Sequence, residues 1–328
     1  MGAAGRAEIA SQNPVGERHN PDSAGGAKLE SFCMSYGIPL YGGVGGADAW
    51  PAPAKLNLCL HIVGRRPDGY HLLQTAFQFI DLCDELRFYQ RPLGVIERVA
   101  GPVDVPAESD LVIRAARLLA TESGSSHGVA IELIKRIPMQ AGLGGGSSDA
   151  ATALVALNYL WGLNFSVDRL ATLGLRLGAD VPVFVRGRAA WAEGVGEELT
   201  PVDFPESCYL VLEPGVSVST AEIFQASELT RDTPLTTIRA FLAKGGRNDC
   251  LTTVRGRYPA VAQAIDWLAN YGAAQLTGTG ACVFAAMPDR ATAERVKAHL
   301  LPQWRGFVVQ GCNESPLLRR LQQAQQVY

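Results

Sequence analysis

One segment of the chain, residues 138–151, reads PMQAGLGGGSSDAA and carries four glycines. Residues 150–160 follow with an uninterrupted helical pattern, and Ser147, Ser148 and Asp149 lie where a helix N-cap is expected. A glycine loop that leads into a helix N-terminus presents free backbone N–H groups and the positive end of the helix dipole. The segment therefore predicts a phosphate-binding loop, with a glycine-rich surface turn before an ordinary helix as the plainer alternative.

The loop differs from two familiar phosphate-binding sequences. A Walker A loop ends in Gly-Lys-Ser/Thr, and no lysine follows these glycines. A dinucleotide-binding fingerprint requires a third glycine where this chain has Ser147. The sequence therefore indicates a phosphate loop of another type.

The composition is typical of a globular protein. The chain has 328 residues, 47% hydrophobic and 19% charged, with a net charge of −3, which is enough for two domains with substantial cores. The balanced charge gives no support for nucleic-acid binding, and no apolar run reaches the roughly 20 residues of a membrane span. We therefore expect a soluble globular protein with no nucleic-acid or membrane partner.

The cysteines predict free thiols in a reducing compartment. They are odd in number and never spaced as Cys-x-x-Cys, so neither a disulfide framework nor a zinc site is expected. The seven are Cys33, Cys59, Cys83, Cys208, Cys250, Cys282 and Cys312. A cytoplasmic location follows from this pattern.

Residues 1–49 differ from the rest of the chain. They are rich in Gly, Ala, Ser and Asn and lack sustained periodicity, which predicts a disordered extension. They contain neither the apolar core of a secretory signal nor the acid-poor composition of a transit peptide. Met34 is a possible alternative start.

The first predicted strand carries two polar side chains on one face. Apolar residues alternate from Leu56 to Ile62, so Lys55 and Asn57 lie on the opposite face. After the Pro-Ala-Pro entry, these two side chains could reach one ligand. The alternative is a half-exposed strand whose outer face is merely polar.

The remaining pattern mixes strands and helices. Asp180 is expected at a helix-to-strand junction, where functional side chains are common, although a plain turn residue before Pro182 is equally compatible. Polar, proline-rich residues 197–205 suggest a domain boundary, and the second half suggests a split βαβ sheet covered by helices. Strands are predicted at 76–80, 128–134, 181–185, 208–212, 275–285 (with a glycine turn) and 306–309, and helices at 111–119, 150–160, 166–177 (ended by Gly178), from 219, 260–270 and 291–300.

Four motifs occur in order along the chain: PAKLN (53–57), the glycine loop, GADVP (178–182) and LTGTG (276–280). This arrangement resembles the galactokinase, homoserine kinase, mevalonate kinase and phosphomevalonate kinase (GHMP) superfamily, over about residue 50 to the C-terminus. Four stretches together, PAKLNL (53–58), DGYH (68–71), LRLGADVPVF (175–184) and LTGTGACVF (276–284), narrow the resemblance to the branch whose substrate is 4-diphosphocytidyl-2-C-methyl-D-erythritol.

The resemblance implies an α+β, two-domain GHMP kinase fold. Residues 50–200 would form a domain like domain 2 of ribosomal protein S5, with a left-handed βαβ unit. Residues 201–328 would form a ferredoxin-like domain, and the active site would lie in the cleft between the two. A monomer or weak homodimer is expected.

The resemblance also implies ATP and Mg²⁺ as cofactors. Asp180 would be the general base, and Lys55 would keep it ionised and stabilise negative charge near the transferred phosphoryl group. A salt bridge without a catalytic part is the alternative. The implied nucleotide contacts are Lys135 and the loop residues Pro138, Met139, Gln140, Ala141, Gly142, Leu143, Gly144, Gly145, Gly146, Ser147 and Ser148.

At the substrate end, the resemblance implies that Tyr70, His71 and Phe224 hold the cytosine, although helix packing alone could explain Phe224. Asn57 and Thr220 would contact the erythritol hydroxyls.

The chain departs from the family pattern at two positions. Asp110 stands where related kinases carry Asn near adenine, and an ionised Asp cannot donate a hydrogen bond to the ring. Gln140 replaces a small residue and is expected to point outward. No carboxylate stands out as a magnesium ligand.

Two other functions stay open on this sequence. One is a different GHMP kinase, acting on mevalonate, homoserine or a sugar. The other is a non-catalytic sensor on the same fold.

Overall fold

The computed structural model describes residues 49–326. The predicted extension at residues 1–49, apart from Ala49, and the possible start at Met34 therefore lie outside the described residues, as does Cys33.

Ten strands and ten helices are found within residues 49–326. The strands are β1 (Trp50–Arg65), β2 (His71–Arg91), β3 (Ile96–Ala100), β4 (Gly128–Ile134), β5 (Ala190–Glu193), β6 (Glu198–Pro201), β7 (Cys208–Glu213), β8 (Gln275–Leu276), β9 (Val283–Met287) and β10 (Arg305–Cys312). The helices are α1 (Leu111–Ser123), α2 (Gly145–Leu160), α3 (Val167–Leu175), α4 (Val181–Arg186), α5 (Thr220–Gln225), α6 (Ile238–Lys244), α7 (Leu251–Arg257), α8 (Pro259–Leu268), α9 (Arg290–Lys297) and α10 (Pro316–Gln326).

The N-terminal half is built on a long antiparallel hairpin of β1 and β2. Strand β2 also pairs with β4 and β5, and β3 lies parallel to β4. The connection from β3 through α1 to β4 is a parallel βαβ unit of the kind that the family resemblance implies; its handedness stays a prediction. Helices α1 to α4 and α10 pack on one side of this sheet and bury its main hydrophobic core.

The C-terminal half carries a four-stranded antiparallel sheet in the order β10-β7-β9-β8. Numbered along the chain, these strands stand in the order 4-1-3-2, which is the split βαβ arrangement predicted from the sequence. Its helices bury a second core. The predicted α+β organisation in two halves is therefore confirmed.

Buried residues join the two halves. Strand β10 pairs with β2 through Gly311 and Cys312, so one continuous sheet runs through the molecule. A separate core cluster packs β1 and the glycine loop against β7, β9 and β10. Its members are Ala54, Leu56, Ile80, Ile137, Ala141, Leu143, Tyr209, Val211, Cys282, Phe284 and Val309. The glycine loop is thus held between the two halves.

Strand β1 is covered on both faces. Lys55 and Asn57 are only 3% and 2% exposed, so the alternative of a half-exposed strand with a polar outer face is wrong. A buried charge is costly unless it is paired, so Lys55 requires polar or charged partners within the protein.

Two predicted helix boundaries are wrong. Helix α2 begins at Gly145 with Gly144 as its N-cap, and no side chain caps it, so Ser147, Ser148 and Asp149 lie in its first turns. Helix α3 begins after Ser166, as predicted, but ends at Leu175. Gly178 does not end it, because its backbone is not left-handed and the turn continues with a bond from its N–H to the Gly174 carbonyl.

The predicted strand 181–185 is helix α4, and Asp180 is its N-cap residue. Pro182 lies in the first turn, where its missing N–H leaves no intrahelical bond unmade. In a central strand the same proline would remove a ladder hydrogen bond. The β-branched residues that suggested a strand are instead buried against α2 and α3.

Asp249 ties the C-terminal half to β1. Its buried carboxylate accepts hydrogen bonds from the Ile62 N–H (2.8 Å), the Thr233 hydroxyl (2.6 Å) and Arg247 Nε (2.8 Å). We expect Asp249→Ala to lower the free energy of unfolding by about 2–4 kcal/mol, because a buried N–H loses its acceptor. Urea denaturation measures this change.

Asp266→Ala is the matched control, since Asp266 forms an exposed pair with Arg255. Such pairs contribute about 0–1 kcal/mol. Equal losses in the two variants would contradict the role given to Asp249.

Candidate active site

A cavity of about 1080 Å³ lies between the two halves. Its volume is at the upper end of the range for small-molecule pockets, about 300–1,000 Å³. Most of the residues singled out from the sequence line it: Lys55, Asn57, Tyr70, His71, Lys135, Pro138, Met139, Gln140, Ala141, Gly142, Gly144, Gly145, Gly146, Ser147, Asp180, Thr220 and Phe224.

Two of the predicted nucleotide contacts do not line the cavity. Leu143 is 1% exposed and belongs to the core cluster between the halves. The Ser148 hydroxyl is fully buried and lacks a hydrogen-bond partner. The side chain of Gln140 is exposed, as predicted.

Lys55 is a buried cation held by three kinds of partner. Its Nζ lies 3.7 Å from Asp180 Oδ2, donates to the Gly142 carbonyl at 3.0 Å and donates to Asn57 Oδ1. The ring of Phe77 lies below it at 5.4 Å. Burial lowers the pKa of Lys55, and the charge of Asp180 partly offsets this effect. The ammonium group is therefore fixed in position with its charge directed into the cavity.

Three sequence motifs converge on one backbone carbonyl. The Gly142 carbonyl accepts from Lys55 Nζ and, at 3.0 Å, from the Thr277 hydroxyl. The same hydroxyl accepts from the Asn57 N–H at 3.1 Å. Strand β1, the glycine loop and the 276–280 turn are thus locked together at this point.

The glycines of the loop are required by geometry. Gly142 has φ +77°, and a Cβ there would lie 2.1 Å from the Thr277 carbonyl oxygen. Gly144 has φ +74°, and a Cβ there would lie 2.8 Å from the ring of Phe184 and 3.2 Å from Lys55 Cε. Only glycine combines a left-handed backbone with so close an approach.

Asp180 is the more exposed partner of the Lys55 pair. Its side chain is 36% exposed, and it makes no capping bond to its own helix although it occupies the N-cap position. The carboxylate therefore has the Lys55 ammonium group as its ion-pair partner and is also open to a ligand in the cavity.

Lys135 is engaged by two buried acids. Its Nζ donates to Asp149 Oδ2 at 2.7 Å and to Asp84 Oδ2. Burial alone would lower the pKa of Lys135, but Asp149 and Asp84 outweigh it and raise the pKa. Burial raises the pKa of Asp149 to about 8, with Lys135 opposing and Asp84 adding to the shift.

Asp84 was not found from the sequence. It is fully buried on β2 and also accepts from the Ile137 N–H at 2.8 Å. It therefore fixes the chain where it enters the glycine loop. Strand β2 also carries Asp81 and Glu85, so nothing in the sequence marks Asp84 as the acid with this role.

Asp110 is already used by the protein itself. One carboxylate oxygen caps α1 by accepting from the Val112 N–H at 2.8 Å, and the other pairs with Arg98. Arg98, which the sequence did not indicate, also donates to the Pro102 and Val105 carbonyls at 2.8 and 2.9 Å. The segment that lines this end of the cavity is thus held by an ion pair.

The aromatic residues lie at the end of the cavity next to the β1–β2 turn, where His71 pairs with Arg65. The rings of His71 and Phe224 stack with centroids 5.0 Å apart. Two rings that hold a base between them must lie about 7–8 Å apart, given carbon contacts of about 3.5–4.0 Å on each side. His71 and Phe224 are therefore too close together to hold a base between them. Tyr70 is 63% exposed and offers an open ring beside them.

Asn57 and Thr220, which are predicted to contact the erythritol, differ in how readily their side chains can bind a ligand. The amide of Asn57 donates to the Thr75 hydroxyl at 2.8 Å and its oxygen accepts from Lys55, so both ends are engaged. Thr220 shares a hydrogen bond of 2.8 Å with Thr279. Hydroxyl groups can exchange such a bond for one to a ligand.

Comparison with known proteins identifies the class. The model of the GHMP kinases N-terminal domain matches residues 110–188, and the model of the GHMP kinases C-terminal domain matches residues 231–304. A crystal structure of mevalonate kinase, 14% identical, covers 81% of this chain and 99% of its own with a TM-score of 0.60, which shows the shared fold. Fold and site together define a small-molecule kinase that transfers phosphate from ATP to an alcohol group.

More similar proteins define the branch. A crystal structure of 4-(cytidine 5'-diphospho)-2C-methyl-D-erythritol kinase is 33% identical, with a TM-score of 0.71 over 80% of this chain and 98% of that chain. The 4-diphosphocytidyl-2-C-methyl-D-erythritol kinase of Nitrosococcus oceani is 56% identical over 82% of this chain and 96% of its own length. That of Pseudomonas savastanoi pv. phaseolicola is 58% identical over 83% and 94%. The chain therefore belongs to the 4-diphosphocytidyl-2-C-methyl-D-erythritol kinase family.

None of the helices within residues 49–326 is both long and apolar enough to cross a membrane.

Gly142→Ala tests the convergence on the glycine loop. The added methyl group must move the loop or the Thr277 turn, and displacements of about 1 Å in a kinase site cost about 100-fold in rate. We expect kcat/KM for ATP to fall at least that far in a coupled kinase assay.

Gly124→Ala is the matched control. Gly124 has a similar φ of +67°, but a Cβ there meets nothing within 4 Å. It should cost about 1 kcal/mol of stability and leave kinase activity unchanged. Equal activity losses would attribute the effect of Gly142→Ala to backbone strain alone.

Proposed function

We propose that this protein transfers the γ-phosphoryl group of ATP to the 2-hydroxyl of 4-diphosphocytidyl-2-C-methyl-D-erythritol, a step of the non-mevalonate route to isoprenoid precursors. The observation that carries the proposal is the Lys55–Asp180 pair, which stands between the glycine loop and the aromatic end of one cavity. The names of the relatives supply the substrate.

The glycine loop is the proposed phosphate site. It joins a left-handed glycine turn to the N-terminus of α2, whose first N–H groups have no intrahelical acceptor. An anion is stabilised at such a helix end. Lys55 adds a buried positive charge at Gly142, where charge develops on the transferred group.

Asp180 is the proposed general base. It has no capping bond to its own helix, lies within ion-pair distance of Lys55 and opens into the cavity. A carboxylate is a weak base for an alcohol. Its contribution is therefore to orient the hydroxyl and to accept its proton late in a loose transition state.

Mg²⁺ is proposed to enter with ATP. Within residues 49–326, no three His, Cys, Asp or Glu side chains cluster to enclose a metal. Asp149 Oδ1 is a buried carboxylate oxygen without a hydrogen-bond partner, beside the proposed phosphate site. Mg²⁺ prefers such oxygens together with phosphate groups, so Asp149 is the proposed protein ligand; the ion neutralises phosphate charge when bound.

The aromatic end is the proposed cytidine site. Tyr70 offers an open ring for stacking, and His71 presents a polar edge to the cavity. Stacking of a base on an aromatic side chain is worth about 1–3 kcal/mol. Phe224 supports His71 from behind through the ring stack.

The cellular location and the oligomeric state are also proposals. The six cysteines in the described part of the chain are free thiols, which supports a cytoplasmic location. A monomer or weak homodimer is the proposed state.

Asp180→Asn tests the catalytic assignment. We expect kcat to fall by about 10²- to 10⁴-fold, the usual contribution of a general base. The thermal midpoint should fall only modestly, because Asn matches Asp180 in size but removes one of the partners of the buried Lys55 charge. Turnover is measured with the diphosphocytidyl substrate and ATP.

Asp168→Asn is the control, because Asp168 is an exposed carboxylate that pairs with Arg186 outside the cavity. A rate near that of the unmodified protein in Asp180→Asn would remove Asp180 from the chemistry.

A substrate panel tests the cytidine site. The unmodified protein should phosphorylate the diphosphocytidyl substrate and neither mevalonate nor homoserine. Tyr70→Ala should raise the KM for the diphosphocytidyl substrate about tenfold or more, because a stacking surface is lost, with the KM for ATP unchanged. An unchanged substrate KM would place the base elsewhere.

A further inference from the structure

Arg231 holds the aromatic end of the cavity together. Its Nε donates to His71 Nε2 at 3.1 Å. Its terminal nitrogens donate to three carbonyls of the 224–229 segment: Leu229 at 3.0 Å, Phe224 at 3.0 Å and Ala226 at 2.6 Å. No carboxylate among residues 49–326 pairs with Arg231. Its hydrogen bonds go to the His71 ring and to the backbone carbonyls of the 224–229 segment.

The contact with Arg231 fixes the proton on His71. A guanidinium group has only donors and stays charged, so His71 Nε2 must accept with its lone pair. In a neutral imidazole the other nitrogen then carries the proton. Burial, Arg231 and Arg65 all lower the pKa of His71, so the ring is neutral at pH 7. His71 is therefore the Nδ1–H tautomer.

The Nδ1–H group is available to a ligand. His71 lines the cavity, and none of the described residues accepts a hydrogen bond from Nδ1. Nδ1 is also absent from the buried polar atoms that lack a partner, so it is reachable from the cavity. The stack with Phe224 holds the ring plane. The site thus presents one oriented donor at the edge of the proposed base pocket.

We propose that Arg231 is a positioning residue that sets the choice of cytosine over uracil by holding His71 as an Nδ1–H donor. This inference rests on the proposed function, since it concerns the base of that substrate. Cytosine N3 is a bare acceptor, whereas uracil N3 carries a hydrogen. An Nδ1–H donor pairs with the first and meets a second donor in the other. A site that is built around one hydrogen bond rejects analogues that cannot make it.

The test compares two substrates in one assay. The probes are 4-diphosphocytidyl-2-C-methyl-D-erythritol and its diphosphouridyl analogue. The unmodified protein should favour the cytidine compound by at least about 100-fold in kcat/KM. Arg231→Gln should raise the KM for the cytidine compound about tenfold and reduce the preference about tenfold, as expected when one hydrogen bond is lost. kcat and the KM for ATP should stay within about twofold.

Two further variants separate positioning from folding. Arg231→Lys keeps a positive charge but lacks the fork that bonds the ring and the carbonyls together, so it should lose preference as Arg231→Gln does. Arg257→Gln is the control, because Arg257 pairs with Glu228 at the surface; it should keep the full preference. A change only in kcat or in the KM for ATP, with the preference for the cytidine compound unchanged, would overturn the proposal.

A spectroscopic measurement does not depend on turnover. Long-range ¹H–¹⁵N correlation spectra report which imidazole nitrogen of His71 is protonated, with its signals assigned by their loss in His71→Asn. We expect the proton on Nδ1 in the unmodified protein. In Arg231→Gln we expect the tautomer with the proton on Nε2 to become populated. Protonation at Nε2 in the unmodified protein would overturn the inference. If neither pyrimidine compound is phosphorylated, the proposed function fails, while the tautomer result still decides the role of Arg231 in fixing the ring.

Discussion

The structure depends on a lysine ammonium group that is buried where the two halves meet. Lys55 is 3% exposed, and a charge at this depth is tolerated only with partners on several sides. Those partners come from distant parts of the chain: Asp180, Asn57 and the Gly142 carbonyl. The requirement to satisfy one cation therefore brings the proposed base, the glycine loop and the first strand into a single arrangement.

The same arrangement limits which residues can form the loop. Backbone meets backbone where Gly142 touches the Thr277 turn, and a side chain there would overlap the Thr277 carbonyl. Close backbone contact leaves N–H groups free for an anion without a lysine in the loop, because Lys55 supplies the charge from β1 instead. The proposed phosphate site therefore needs no Walker sequence.

Much of the fold was predictable from local pattern. The structure confirms the strand predicted at 128–134 and the starts of the helices predicted from 166 and 219. Segment 181–186 was predicted wrongly, because β-branched residues favour strands until burial against neighbouring helices overrides that preference. Arg98, Asp84 and Arg231 were missed because each acts on a partner 12 to 160 positions away, and no local spacing records such a contact.

The sequence by itself determined the family and pointed to the glycine loop, Lys55 and Asp180, since the order and wording of short motifs can be recognised without coordinates. Only the tertiary structure decided which groups hold those side chains. It placed Leu143 and Ser148 away from the cavity and gave Asp110 to a cap and an ion pair. It also directed Arg231 to one nitrogen of His71. Hydrogen bonds depend on distances of a few ångströms between remote parts of the chain, and those distances exist only once both cores have packed.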